Sequence, residues 1–283
     1  MFVRTAALGV SFVTLVAVTP GRATTIVVSP GPGTPFQNAI NAASPGDTLR
    51  VSPGTYPEAI VINKALRVLA QGCCSWVIDA GCAAGTAVNI LADDVTFSGL
   101  TVQGGTFYEI DAEGRDRVKV LRSIMTETCG TAEYGVQVYQ STNSKVLLNE
   151  TAGFSDAGVY IGGIGQSGNV RVLKNESSNS ARGYIVEDCL PGPRGVILSG
   201  NTTLQNTQSG IFLHNSDGVR ILHNSVTGLP GTTASGIELD ATSDDNLIVG
   251  NDISENTSDV VDNGTNNCWR NNTYTTGTPP SCP

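Results

Sequence analysis

Short apolar runs that each close on an asparagine recur from the middle of the chain to its end. They are VLLN at Val146–Asn149, VRVLKN at Val170–Asn175, VILSGN at Val196–Asn201, VRILHN at Val219–Asn224 and LIVGN at Leu247–Asn251. Steps between those asparagines are 26, 26, 23 and 27 residues. A second phrase recurs between them: YGVQV at Tyr134, AGVYI at Ala157, RGYIV at Arg182, SGIFL at Ser209 and SGIELD at Ser235. Its glycines, Gly135, Gly158, Gly183, Gly210 and Gly236, are 23, 25, 27 and 26 apart. A drifting period of about 25 residues, built from strand-sized pieces and polar turns, is the signature of a solenoid.

Each phrase is too short for a helix, and its Val, Ile and Leu alternate with other residues at period two, as half-buried strands require. Gly, Ser, Asn, Thr and Asp fill the spaces and suit turns. One coil cannot bury its own apolar face, so coils must stack, about 4.8 Å apart, through parallel strand pairing. The expected fold is therefore all-β: a right-handed parallel β-helix of ~25-residue coils. Asn149, Asn175, Asn201, Asn224 and Asn251 hold one phrase position. Stacked inward, their amides would bond one another as a ladder; the alternative is that they are ordinary turn residues.

Residues 1–23 read as a secretory signal peptide. Arg4 supplies the positive start, Ala6 to Val18 the apolar stretch, and Gly21-Arg22-Ala23 a small-residue cleavage site. Residues 24–283 then form one β-helix domain with no membrane span after cleavage, in a secreted or periplasmic protein. Formal charge is −9, from 16 Lys and Arg against 25 Asp and Glu, and no Lys/Arg run occurs, which disfavours nucleic acid and anionic membrane surfaces as partners. The seven cysteines agree with export. Cys268 and Cys282 bracket the tail and suit a C-terminal clasp over 268–283. Cys73, Cys74 and Cys82 share one coil, so one of the first two is expected to bridge to Cys82. Direct pairing of Cys129 with Cys189, across more than two periods, is disfavoured.

The N-terminal third opens differently. Residues 34–47 carry Thr34 as N-cap, Pro35 at the first helical position, an apolar face of Phe36, Ala39, Ile40 and Ala43, and a Pro45-Gly46 stop. The expectation is a short helix capping the open end of the solenoid.

The run PGDTLRVSPGTYPEAIVINKALRVLAQG resembles the N-terminal module of right-handed parallel β-helix proteins of the pectate-lyase-like superfamily. The following repeats resemble carbohydrate-binding and sugar-hydrolase β-helix domains, including periplasmic copper-site maturation proteins. The resemblance spans roughly Thr24 to Tyr274. It implies the fold, and a secreted protein that binds or processes a polysaccharide. The superfamily's catalytic patterns are incomplete here. Asp244-Asp245 lacks the HG of polygalacturonase-type hydrolases. Tyr134-Gly135-Val136 continues into Gln137-Val138 without the acid and histidine of alginate epimerases. Arg182 and Arg194 lack the RxPxxR context of pectate lyases. Enzymatic activity is therefore open, with lyase, epimerase or glycoside hydrolase as the reaction classes.

Strand alternation predicts a site without reference to any motif. If the residue after each Gly points inward, Gln137, Tyr160, Ile185, Phe212 and Glu238 form an outward row, and Tyr139, Gly162, Glu187, His214 and Asp240 a second. Glu187, His214 and Asp240 are the candidate catalytic residues, with His214 set between carboxylates to act as acid or base. Tyr160, Phe212 and Glu238 are the candidate substrate-binding residues, aromatic faces for sugar rings and acids for hydroxyls. Glu109, Asp111, Glu113 and Asp116 read as a solvated acidic loop. No cofactor is expected, with Ca²⁺ the one ion for which this stretch offers oxygens, although its spacing fits no EF-hand. The expected partner is a polysaccharide or cell-surface glycan, neutral rather than polyuronate. The other class is a non-catalytic extracellular or envelope protein presenting a rigid face.

Overall fold

The computed structural model describes residues 23–70, 75–165, 168–192, 195–229, 234–280 and 282. Residues 1–22 of the expected signal peptide, and Cys73 and Cys74, lie outside the described residues. The β-phrases stack as a parallel β-helix with three faces per coil. The first face is a sheet of 11 parallel strands in chain order, from Thr25–Val28 to Cys268–Arg270. A 16-stranded sheet supplies the second face, of three-residue strands such as Glu150–Ala152, and the third, of longer strands such as Tyr134–Tyr139 and Arg182–Glu187. Thr101–Glu113 pairs with strands of both these faces and joins them.

Pairing in register turns each inward position into a column. On the first face Val68, Phe97, Val120, Val146, Val172 and Leu198 succeed one another and are all fully buried. Burial of such a side chain stabilises by about 1.5–3 kcal/mol, and every coil adds several.

The five repeating asparagines occupy the corner between the first and second faces, all buried. Asn175 shows the pattern. Its Nδ2 donates to Val146 O and to Asn201 Oδ1, both at 3.0 Å, while its Oδ1 accepts from Asn149 N and Nδ2, both at 2.9 Å. The column continues through Asn224 and Asn251 to Asn272, and at its other end Asn149 Oδ1 receives Ser123 N at 2.9 Å. Each rung follows a residue in the left-handed region, including Leu148 (φ 57°), Lys174 (φ 52°) and His223 (φ 53°). An L-residue there costs about 1–2 kcal/mol, which the amide column must offset at these three corners; Gly200 and Gly250 precede Asn201 and Asn251 and avoid it.

The end cap is helix α1, Pro35–Ala42, with Phe36 and Ile40 buried. Thr34 is its N-cap by position but makes no side-chain cap bond. Glu58, from a neighbouring coil, takes that role: its carboxylate accepts from Phe36 N at 2.8 Å and Gln37 N at 2.9 Å. A carboxylate at this pole satisfies two orphan donors and opposes the helix dipole.

Two disulfides are described. Cys268–Cys282 holds the tail to the last strand of the first face, as the spacing suggested. Cys82 bonds Cys129, not Cys73 or Cys74. That pairing skips a coil. Cys82 lies where the pairing with the strand between them, Thr101–Glu113, shifts register, between Asp79–Gln103 and Ala84–Gly105. Cys189 is a buried free thiol.

Asn175→Ala removes both ends of a rung and leaves buried backbone groups unpaired. Unfolding in denaturant should show a loss of about 1–3 kcal/mol. Glu58→Ala should cost about 1–2 kcal/mol through loss of the helix cap, whereas Thr34→Ala should be near neutral. Thermal midpoints of the two variants check this.

Candidate functional site

Register on the third face places both predicted outward rows. The first runs Asp111, Gln137, Tyr160, Ile185, Phe212, Glu238. The second runs Glu113, Tyr139, Gly162, Glu187, His214, with Asp240 one residue beyond the strand that ends at Leu239.

Side chains join these rows into one chain of contacts. Tyr160 Oη donates to Glu187 Oε2 at 2.8 Å, His214 Nε2 lies 3.8 Å from Glu187 Oε1, and His214 Nδ1 meets Asp240 Oδ2 at 2.5 Å. Asp240 Oδ1 is fixed by Thr242 N, Thr242 Oγ1 and Ser243 Oγ at 2.8–3.0 Å. Burial alone would raise the Asp240 carboxyl; the bonds from Ser243, Thr242 and His214 outweigh it and hold the group below the usual carboxylate range. Asp240 is thus a fixed anion that orients the half-exposed imidazole of His214.

Tyr160 is not the open platform expected of it. It is buried, its ring stacks on Tyr134 at 4.6 Å, and Tyr134 stacks on Tyr108 at 5.8 Å. Burial and the nearby carboxylates Glu187 and Asp156 push the Tyr160 and Tyr134 hydroxyls far above the ordinary range, so both remain donors. Gly162 makes the arrangement possible: a Cβ there would overlap the phenol of Tyr160. Phe212 is half-buried, with the Arg182 guanidinium 5.0 Å from its centroid and His214 beside it. Arg182 is anchored by an ion pair to Asp156, which also accepts from Tyr134 Oη at 3.0 Å. Glu238 stands next to Phe212 in the row and makes no hydrogen bond or ion pair among the described residues.

Beside the charged line lies an open groove of about 360 Å³, lined by Tyr108, Glu113, Glu133, Tyr134, Gln137, Tyr139 and Tyr160. Two of its seven lining residues, Tyr108 and Glu113, come from the stretch read as a solvated acidic loop. That stretch is strand: Tyr108 pairs with Tyr134, Ile110 with Val136 and Asp111 with Gln137, so YEIDAE is another copy of the YGVQVY phrase. Glu109 then falls where later coils carry glycine, and it is fully buried. Only one of its oxygens has a partner, Gly105 N at 3.1 Å. Burial, helped by Glu127 and Asp79 and opposed by the Gly105 and Gly104 amides, pushes its carboxyl up to about 8. Asp111 is raised to about 6 by burial and by Glu113. Aligning YEIDAE with YGVQVY was the signal available in the sequence; the missing glycine hid it.

The family profile of the periplasmic copper-binding protein NosD matches residues 89–279, two-thirds of the chain. The chain belongs to the NosD family. Among solved structures it is similar to the pectate lyase Pel9A, at 14% identity over 89% of this chain and 78% of that one, with a TM-score of 0.61. It is also similar to an alginate lyase from Paenibacillus sp. str. FPU-7, at 15% identity over 86% and 97%, with a TM-score of 0.53. At such identities the likeness is one of fold. No curated protein matches the sequence. In the described part of this NosD-family chain no helix is long and apolar enough to cross a membrane.

Copper calls for imidazole and sulfur donors. Here His214 is on the third face and His223 at the ladder corner, Met125 is buried in the core, and burial pushes the Cys189 thiol up to about 11. Among the described residues no three His, Cys, Asp or Glu side chains gather in a way that holds a metal. The donors among the described residues do not fit a copper centre.

Two outcomes follow from this geometry. Gly162→Ala should destabilise by about 1–3 kcal/mol by displacing Tyr160, and the same change in a Tyr160→Ala background should cost far less; a double-mutant cycle of unfolding energies reads the coupling. For Glu109 the folded pKa of about 8 lies above the ordinary 4.5. Between those values the folded chain keeps a proton that the unfolded chain sheds, so its contribution to stability is full below about 4.5 and is lost as pH rises towards 8. Glu109→Gln should flatten that slope in denaturation curves taken across pH.

Proposed function

We propose that this is an exported protein of the periplasm or cell exterior whose third face binds a polysaccharide laid across successive coils. Its two disulfides suit an oxidising compartment. The observation that carries the reading is the line Glu187–His214–Asp240 with Phe212 in the adjacent row, beside the tyrosine-lined groove. Carboxylates and phenols offer hydrogen bonds to hydroxyls, and aromatic edges and faces offer apolar contact to sugar rings. Glu113, Glu133, Asp111 and Asp156 give this face a negative character, so a neutral glycan fits it better than a polyuronate.

The His214–Asp240 contact favours a further step on the same ligand. An imidazole oriented by a fixed carboxylate, with its other nitrogen towards Glu187, is arranged for general acid–base chemistry on a glycan. The reading without catalysis is a rigid recognition surface. Binding to an array of neutral polysaccharides, combined with analysis of released products, separates them. Phe212→Ala should weaken binding by roughly tenfold through lost ring contact. His214→Gln should abolish product release while leaving binding largely intact. Complete silence of the wild-type chain on the array overturns the glycan reading; binding without product release leaves recognition as the function.

A further inference from the structure

The linear sequence contains no run of Lys or Arg, but the fold assembles one. Register on the first face places Arg67, Lys119, Lys145, Arg171 and Arg220 in a single outward row. Lys119, Lys145 and Arg171 stand on three successive coils; Thr96 and Ile197 fill the two gaps. Adjacent strands are about 4.8 Å apart, so the row extends for roughly 29 Å along the axis. Neither outward row of this face carries a carboxylate on any of its 11 strands, in a chain with 25 Asp and Glu. None of the five cations forms an ion pair among the described residues; Arg171 bonds only the Asn169 amide oxygen, at 3.0 Å. The nearby Asp94 is already engaged by Arg117, at 2.5 and 2.7 Å.

Like charges at the strand spacing repel; Asp94 attracts Lys119 through space, and no ion pair among the described residues relieves the row. A row of this kind is neutralised by a ligand with negative charges repeated along a line. Two residues further on, Leu121, Leu147 and Leu173 form a parallel half-buried rail. A membrane surface would call for a broad basic patch with projecting apolar side chains. One charged row beside one flush apolar row matches a single extended polymer that offers anionic groups along one edge and C–H groups along the other.

We propose that the first face binds a linear anionic polysaccharide, one charge per sugar, with its axis along the solenoid and its acid groups on Lys119, Lys145 and Arg171. This surface is separate from the third face and takes the opposite class of glycan. The recognised chemistry is a repeated carboxylate or sulfate on a sugar chain, held by charge-assisted hydrogen bonds.

The test uses the full chain and titration calorimetry with polygalacturonate oligomers, fully methyl-esterified oligomers of equal length, duplex DNA, and vesicles of phosphatidylglycerol and phosphatidylcholine. Polygalacturonate should bind, more weakly as salt rises, and the neutral ester should not. The variant Lys119→Gln/Lys145→Gln/Arg171→Gln should lose about tenfold or more in affinity, with its unfolding midpoint measured alongside to establish folding. Phe212→Ala should bind polygalacturonate as the wild type does. The proposal is overturned if the wild type does not bind polygalacturonate, if the folded triple variant binds undiminished, or if Phe212→Ala removes binding. Equal or tighter binding of DNA or the anionic vesicles also overturns it, in favour of a partner that is not a glycan.

Discussion

Parallel backbone pairing from coil to coil is the interaction on which everything else in this molecule depends. It holds successive turns at one spacing and in one register, so the chemistry of a single position is multiplied into a column. Inward columns become core, as with Val68 to Leu198 on the first face. A corner column becomes the amide ladder. Outward columns become surfaces whose character differs from face to face. A slip of one residue in a strand would exchange core for surface, burying Glu187 and exposing Val186 in one strand, or burying His214 and exposing Leu213 in the next. The cost of burying such charges pins the register as firmly as the apolar core does.

How much of this was legible follows from which patterns survive when the chain is read as a line. The ladder asparagines and the alternation in YGVQVY, SGIFLH and their kin lie at a nearly constant period, so the fold and the Glu187–His214–Asp240 row could be placed before any coordinates. Three features resisted for distinct physical reasons. The phrase at Tyr108–Glu113 carries Glu109 in place of the corner glycine, and its acids looked like a loop. The Cys82–Cys129 bond skips a coil beside a register shift between Asp79 and Ala84, a property of one strand and not of a period. The role of Tyr160 turns on the absent side chain of Gly162, two residues on in the same strand, which decides where a ring can lie.

Charge shows the same gap between chain and fold. A net charge of −9 describes a molecule repelled by polyanions. In three dimensions the acids lie on the second and third faces and at the corners, while the only charged groups in the outward rows of the first face are cations. Average composition is therefore a weak guide to the partners of a solenoid, because each face is an independent sampling of one residue per coil. Two faces of one rod can recognise ligands of different charge without either site perturbing the other through contact.

The amide column has a direction. From Asn149 to Asn272 each side chain donates towards the next and accepts from the one before, without reversal. Only a whole turn, beginning and ending at the same rung, can be inserted or removed without leaving a donor facing a donor. The length of such a protein is therefore quantised. Chain can be added without breaking the column only as complete units, or in turns, where extra residues leave the count of rungs unchanged.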